Sequence, residues 1–278
     1  MSGAKSSTGF ASRLSAGLKL YARLISASIR SKMQYKLDFI GATLIQATMS
    51  MYDFLFVAAI LWRFRFIHGW SIYEVGLLYA ISTIGWGVYR VFCNELETFE
   101  IYIVSGAYDS VLIRPWPALL VLLSRNLDLS RVTWVIQGLA VGAICVPPLM
   151  RSGALTWFGL AQVLLACLWS TLICAAVGLA TAAAAFWIVR IEELQVFTQN
   201  APRTAALYPL EIYPQWLRTA LLTVIPFAVG NYLPVVYILR KGGTWMNLVW
   251  PAAASAASLY AANALWHAGE ARYHSTGS

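Results

Sequence analysis

Chemistry in a protein chain needs titratable or nucleophilic side chains at fixed spacing, and here such residues are few and scattered. The three histidines, His68, His267 and His274, have no metal-ligand spacing. The four cysteines, Cys93, Cys145, Cys167 and Cys174, form no C-x-x-C pair and fall in or beside apolar runs, where a free cysteine packs as a small hydrophobe. No G-x-S-x-G and no H-E-x-x-H is present. The stretch GAKS, Gly3 to Ser6, imitates the end of a phosphate-binding loop, but the glycine that motif requires five residues upstream of Gly3 is lacking. The chain is therefore expected to hydrolyse no nucleotide itself and to bind no metal or cofactor. Asp53 is the only acid well inside an apolar run, and no basic residue shares the centre of such a run. A proton relay or ion-coupled pair has little material here. Asp53 either lines a polar cavity, faces a partner, or sits near the outer headgroups with Arg63 or Arg65.

The elements that would carry these residues are set by composition. The chain has 278 residues, 59% hydrophobic and 12% charged, against about 25% charged in ordinary globular domains. That balance predicts an all-α polytopic membrane protein. Its twelve tryptophans and fourteen tyrosines suit bilayer interfaces. A span needs about 20 mostly apolar residues, and six candidates appear: 39–61, 72–92, 132–149, 155–189, 217–239 and 245–266. The fourth is too long for a perpendicular span. The third is short, and 119–129 is a candidate extension of it.

Residues 1–36 form a separate unit, a cytoplasmic tail followed by an interfacial helix. Phe10, Leu14, Leu18, Tyr21, Ile25, Ile29 and Met33 recur at spacings of three and four with basic residues on the other faces, the pattern of an amphipathic helix in the inner headgroup plane. Basic residues interrupt this region before any continuous apolar run, so the N-terminus is expected to be retained. Net charge is +8, yet seven of the twenty Lys and Arg residues precede residue 37. Such a bias marks the cytoplasmic side and favours anionic lipid, not nucleic acid, as the partner. Six spans then place both termini in the cytoplasm.

Three polar interruptions break the spans of residues 37–278. The first, 94–117, is longer than a minimal turn and carries Glu95, Glu97 and Glu100, a Ser-Gly turn, and Pro115 and Pro117; a long structured loop of this kind commonly docks something. The second is RIEELQVFTQNAPR, 190–203. The third, 208–234, sets four prolines among apolar residues, and Pro226 and Pro234 each remove a backbone donor, so a straight helix over 217–239 is not expected. Broken helices at membrane depth need protein or water to satisfy the freed backbone, which hints at a transport path. Gly138 and Gly142 form a G-x-x-x-G that would let helix backbones approach.

Within the first interruption, Gly106, Asp109, Leu112, Arg114 and Pro115 resemble the G-x-x-D-x-x-L-x-R-P signature of a bacterial permease family in the ABC-2 exporter superfamily. Three further stretches are similar to it: Tyr208, Pro209, Tyr213 and Pro214, followed by Pro226, Tyr232 and Pro234; the GWS of Gly69–Ser71; and the ending ARYHSTGS. The resemblance runs from about residue 20 to the end. It implies a six-span, type V exporter-like permease subunit of the bacterial plasma membrane, dimerised with itself or a related permease. Two cytoplasmic ABC ATPase subunits would hold the ATP and Mg. It also implies that Glu95, Glu97, Glu100, Gly106, Asp109, Leu112, Arg114 and Pro115 belong to an ATPase-docking loop whose acids meet basic ATPase residues. The Pro-rich stretch re-enters the membrane in many such exporters. In that case 192–207 is the fifth span, although hydropathy alone prefers 217–239. The rival readings are an ion-coupled transporter or channel, and an integral membrane enzyme or assembly scaffold.

Overall fold

The computed structural model describes residues 40–41, 43–49, 51–52, 55, 59, 66–67, 69–188 and 190–273. The expected amphipathic helix, Asp53, Arg63, Arg65, His68 and the last five residues lie outside them, and the first expected span is described only at its helical positions between 40 and 59.

A two-stranded hairpin, β1 (Phe66–Ile67) and β2 (Trp70–Ser71), leads into the long helix α1 (Ile72–Cys93). Gly69 turns the hairpin at φ 81°, a left-handed conformation that glycine adopts without steric cost. The sequence SIYE then closes a capping box. Ser71 accepts the Glu74 N–H at 3.4 Å, and the Glu74 carboxylate accepts the Ser71 N–H at 2.6 Å. Lys241 reaches across to the same carboxylate at 3.1 Å and donates to the Gly69 carbonyl at 2.8 Å.

Beyond α1 come a short 3-10 turn (Asn94–Leu96), α2 (Phe99–Val104), α3 (Asp109–Leu112) and α4 (Ala118–Arg125). The expected lengthening of the third span is corrected by α4, a separate helix. The chain leaves helical geometry at Asn126, and Asp128 then caps a new turn by accepting the Ser130 N–H at 3.2 Å. From there α5 (Val132–Arg151) and α6 (Trp157–Ala184) cross the bundle in opposite directions. The overlong fourth run ends at Ala184 and turns, and Phe186 enters an aromatic cluster.

The next segment joins α7 (Glu192–Gln195), a π-helical turn (Val196–Asn200) and α8 (Ala201–Ala205). The widened turn precedes Pro202, which has no N–H for the regular ladder, and the Ala201 N–H bonds Val196 instead. After a 3-10 turn (Leu210–Ile212), α9 (Gln215–Thr223) and α10 (Phe227–Ile238) meet at an angle of 102° across Val224–Pro226. The last helix, α11 (Met246–Glu270), packs against α6.

Among the described residues, three stretches are long and apolar enough to cross a membrane: Ile72–Val104, Leu129–Arg151 and Trp157–Ala184; the bent α9–α10 pair would be a fourth. The central one is α1, which packs on both α5 and α6. In lipid, apolar burial does little to join helices, so close backbone approach must. Gly138 supplies it on α5: a Cβ there would sit 2.6 Å from the Ile84 side chain and 3.0 Å from the Ala80 carbonyl. Gly142, one turn on, would meet only the Ala80 methyl at 3.7 Å. Gly85 on α1 does for α6 what Gly138 does for α1, with Ser170 against it.

Candidate functional site

Two buried clusters divide the bundle by depth. At one end Trp70, Leu149, Leu155, Leu207, Val235 and Leu239 share a core; at the other Trp86, Phe99, Tyr108, Cys174, Ile191 and Trp266 do. The direction of each element follows. α1 runs from the Trp70 end to the Trp266 end, α5 returns, α6 goes back, the segment from Ile191 to Leu207 returns again, and α11 ends beside Phe99. The α9–α10 pair behaves differently. Glu211, just before it, accepts the Tyr232 hydroxyl at 2.6 Å, and the Tyr232 ring lies 6.0 Å from Trp70. Phe227, at the start of α10, joins the Trp266-end cluster, Gly230 lies against the Ser170 backbone, and Lys241 beyond α10 is back at Gly69 and Glu74. Both arms open at the Trp70 end, with the break at depth. Arg218 belongs at this end too, since its guanidinium donates to the Leu210 carbonyl.

A polar seam fixes the break. Asn231 is buried and donates to the Ala206 carbonyl at 3.0 Å and to the Ser82 hydroxyl, while its own carbonyl accepts the Tyr232 N–H at 2.7 Å. Deeper in, the Tyr89 hydroxyl donates to Gln199 at 3.1 Å, and Thr181 and Thr198 share a hydrogen bond at 2.9 Å. The Arg203 guanidinium lies 4.9 Å from the Trp86 ring and 4.8 Å from the Trp134 ring, a cation–π contact on both faces. The first turns of α10 beyond the proline break, and the π turn, thus have polar partners from their own chain.

The loop at the Trp266 end is held by internal bonds. Gly106, at φ 70°, ends α2 and lets the Tyr108 N–H reach back to the Tyr102 carbonyl at 3.1 Å. Tyr108 is fully buried and donates to Glu270 on α11 at 2.9 Å. Its ring stands edge-on to Phe99 at 5.3 Å, Phe186 at 5.6 Å and Tyr273 at 5.2 Å. Burial, and then the Glu270 carboxylate, push its phenol well above the ordinary tyrosine range, so it stays a neutral donor. Tyr273 is pushed the same way by burial and then by Asp109.

A family model described as ABC-2 family transporter protein matches residues 47–277. The chain belongs to that family. No curated protein and no solved structure matches it. Membership makes it a membrane transport component and implies association with an ABC ATPase.

In this ABC-2 family chain the three loop acids point inward. Glu95 is 5% exposed and accepts the Tyr102 hydroxyl at 2.5 Å. Glu97 pairs with Arg90 at the end of α1, and Glu100 accepts the Ile191 N–H at 2.7 Å. Each of the three acids expected to meet basic residues of an ATPase thus has one carboxylate oxygen engaged within the subunit. Asp109 faces Tyr273. What the loop presents is Leu112 to Pro117, six consecutive exposed residues including Ile113 at 84% and Arg114, with Ile101 and Val104 exposed nearby. Of the signature residues, Leu112, Arg114 and Pro115 are outward and Gly106 and Asp109 shape the turn behind them. In the Pro-rich segment Tyr208, Pro209 and Tyr213 lie near the Trp70 end, Pro214 precedes α9, Pro226 marks the break, and Tyr232 and Pro234 sit in α10. Residue types alone gave no sign of Tyr108, Phe186 or Glu270. Their partners come from segments up to 162 residues away, and only the Tyr273 ending had drawn notice. Among the described residues, no group of three His, Cys, Asp or Glu could hold a metal ion.

Proposed function

We propose that this chain is the permease subunit of an exporter driven by a separate ABC ATPase, in the bacterial plasma membrane with both termini in the cytoplasm. A second permease, identical or related, completes the path. The Trp266 end faces the cytoplasm, and the loop surface from Leu112 to Pro117 docks on the ATPase. The α9–α10 pair dips into the membrane from outside, and the segment from Ile191 to Leu207 serves as the fifth crossing. Membrane lipid surrounds the bundle, and ATP and Mg stay on the partner.

The observation that carries this reading is the family match combined with the inward engagement of every loop acid, which leaves an apolar, single-arginine surface as the contact. Exposed apolar residues rimmed by polar ones mark a partner site more often than a solvated loop. Force arriving there has a direct route inward, since Tyr108 is hydrogen-bonded to α11 and Glu100 to the start of the fifth crossing. Dimerised cassettes would pull on both at once. The test is co-purification with the cognate ATPase. Ile113→Asp should reduce recovered ATPase at least tenfold while the permease keeps its unfolding midpoint. Undiminished recovery would remove this surface from the contact.

A further inference from the structure

At the Trp70 end, opposite the docking loop, a cavity of about 290 Å³ opens between α6, α10 and the turn after α10, lined by Thr156, Phe158, Gln162, Tyr237, Arg240 and Gly243 among others. That volume lies at the small end of ligand sites, about 300 Å³ upward, and suits a small ionic group better than a drug-sized molecule. Three features converge on it. Gln162 is only 6% exposed, yet its amide makes no hydrogen bond among the described residues. Its amide therefore faces the cavity with its hydrogen-bonding capacity free for an occupant.

Arg240 supplies the charge. Its backbone lies at φ 55°, and its guanidinium has no ion pair among the described residues. The neighbouring Lys241 is different, because its ammonium is taken up by Glu74 and Gly69. The third feature is the start of the 28-residue α6. Thr156 caps the Gly159 N–H at 3.0 Å, while the Phe158 N–H donates to no backbone carbonyl among the described residues. The positive end of the helix dipole adds to the same field. α10 ends here too, with the opposite dipole, but its Val235, Val236 and Tyr237 carbonyls are already bonded by Leu239, Lys241 and Arg240.

We infer that this cavity binds a phosphoryl oxyanion, and that its source is the phosphodiester head group of a phospholipid. The surroundings argue for lipid over free phosphate: the lining Phe158 and, close in sequence to lining residues, Trp157, Trp245 and Met246 are all exposed, as expected of side chains at headgroup depth. Arg240 and Gln162 grip the phosphoryl oxygens and the acyl chains lie along the outer surface of α6. Assignment to the outer leaflet rests on the topology proposed above; anion binding does not.

The test uses the full chain purified in a neutral detergent, with unfolding midpoint followed against added short-chain phosphatidylglycerol and, separately, inorganic phosphate. Wild type should be stabilised by the lipid with saturation. Arg240→Ala and Gln162→Glu should each raise the half-saturating concentration at least tenfold, and Arg240→Lys should recover part of the loss. Each variant's midpoint without ligand shows whether it folds. Stabilisation by inorganic phosphate alone, lost in the same variants, would keep the anion site and overturn the lipid source. No stabilisation by either, or equal stabilisation of wild type and variants, would overturn the site. Loss of ATPase co-purification changes none of these readings, so the two proposals fail separately.

Discussion

The charged side chains of the 94–117 loop show how burial reassigns a residue that looks functional. Read along the sequence, Glu97 is a surface acid facing a partner. In the structure it neutralises Arg90, whose guanidinium also lies 5.5 Å from the Trp86 ring. Removing one member of a buried pair strands the other charge, at a cost of about 3–5 kcal/mol. Glu97→Ala should therefore lower the unfolding midpoint of the purified permease markedly. The double change Arg90→Leu with Glu97→Leu should recover part of that loss, because no charge is left unpaired. Equal midpoints for wild type and Glu97→Ala would show that the pair contributes nothing. The residue-level signature was thus legible as a motif but not as a set of contacts. Gly106 could be read from its turn chemistry alone, whereas the outward or inward aim of each acid depends on Tyr102 and on the distant Ile191.

At the scale of elements, hydrophobic runs located α1, α5 and α11 to within a few residues, because length and apolarity are local properties. The α9–α10 break was legible as well, since Pro226 cannot continue a helix without loss. The return of the segment 191–207 between the two clusters was not legible from hydropathy. Gln195, Gln199 and Arg203 make 191–207 look like a loop, and only the partners that absorb them, the Glu97 carbonyl, Tyr89 and the Trp86–Trp134 pair, seat it against the bundle. Helix contacts separate two glycines that the G-x-x-x-G pattern treats alike. Gly138→Val should overpack the α1–α5 contact and cost about 1–3 kcal/mol, while Gly142→Ala should fit with little change. Thermal unfolding of both variants checks this, and equal sensitivity would mean that the two helices cross elsewhere.

For the whole molecule, the alternation of elements between two clusters is the organising fact. One end gathers the hairpin, the Pro-rich segment and the Lys241–Glu74 pair; the other gathers the loop, the end of α6 and the C-terminal aromatic residues. Motifs far apart in sequence, GWS and the tyrosine–proline stretch, meet at the first end through Trp70 and Tyr232. The second end presents Ile113 and Trp116, exposed side chains that the proposed docking buries against the ATPase. The most direct measurement is site-specific photo-crosslinking from position 113 in intact membranes containing the cognate ATPase. One adduct between this chain and the ATP-binding subunit is expected, strengthened when nucleotide is trapped. Reaction of the 113 probe only with reagents confined outside the cell, or the absence of any ATPase adduct from a folded chain, would contradict this docking.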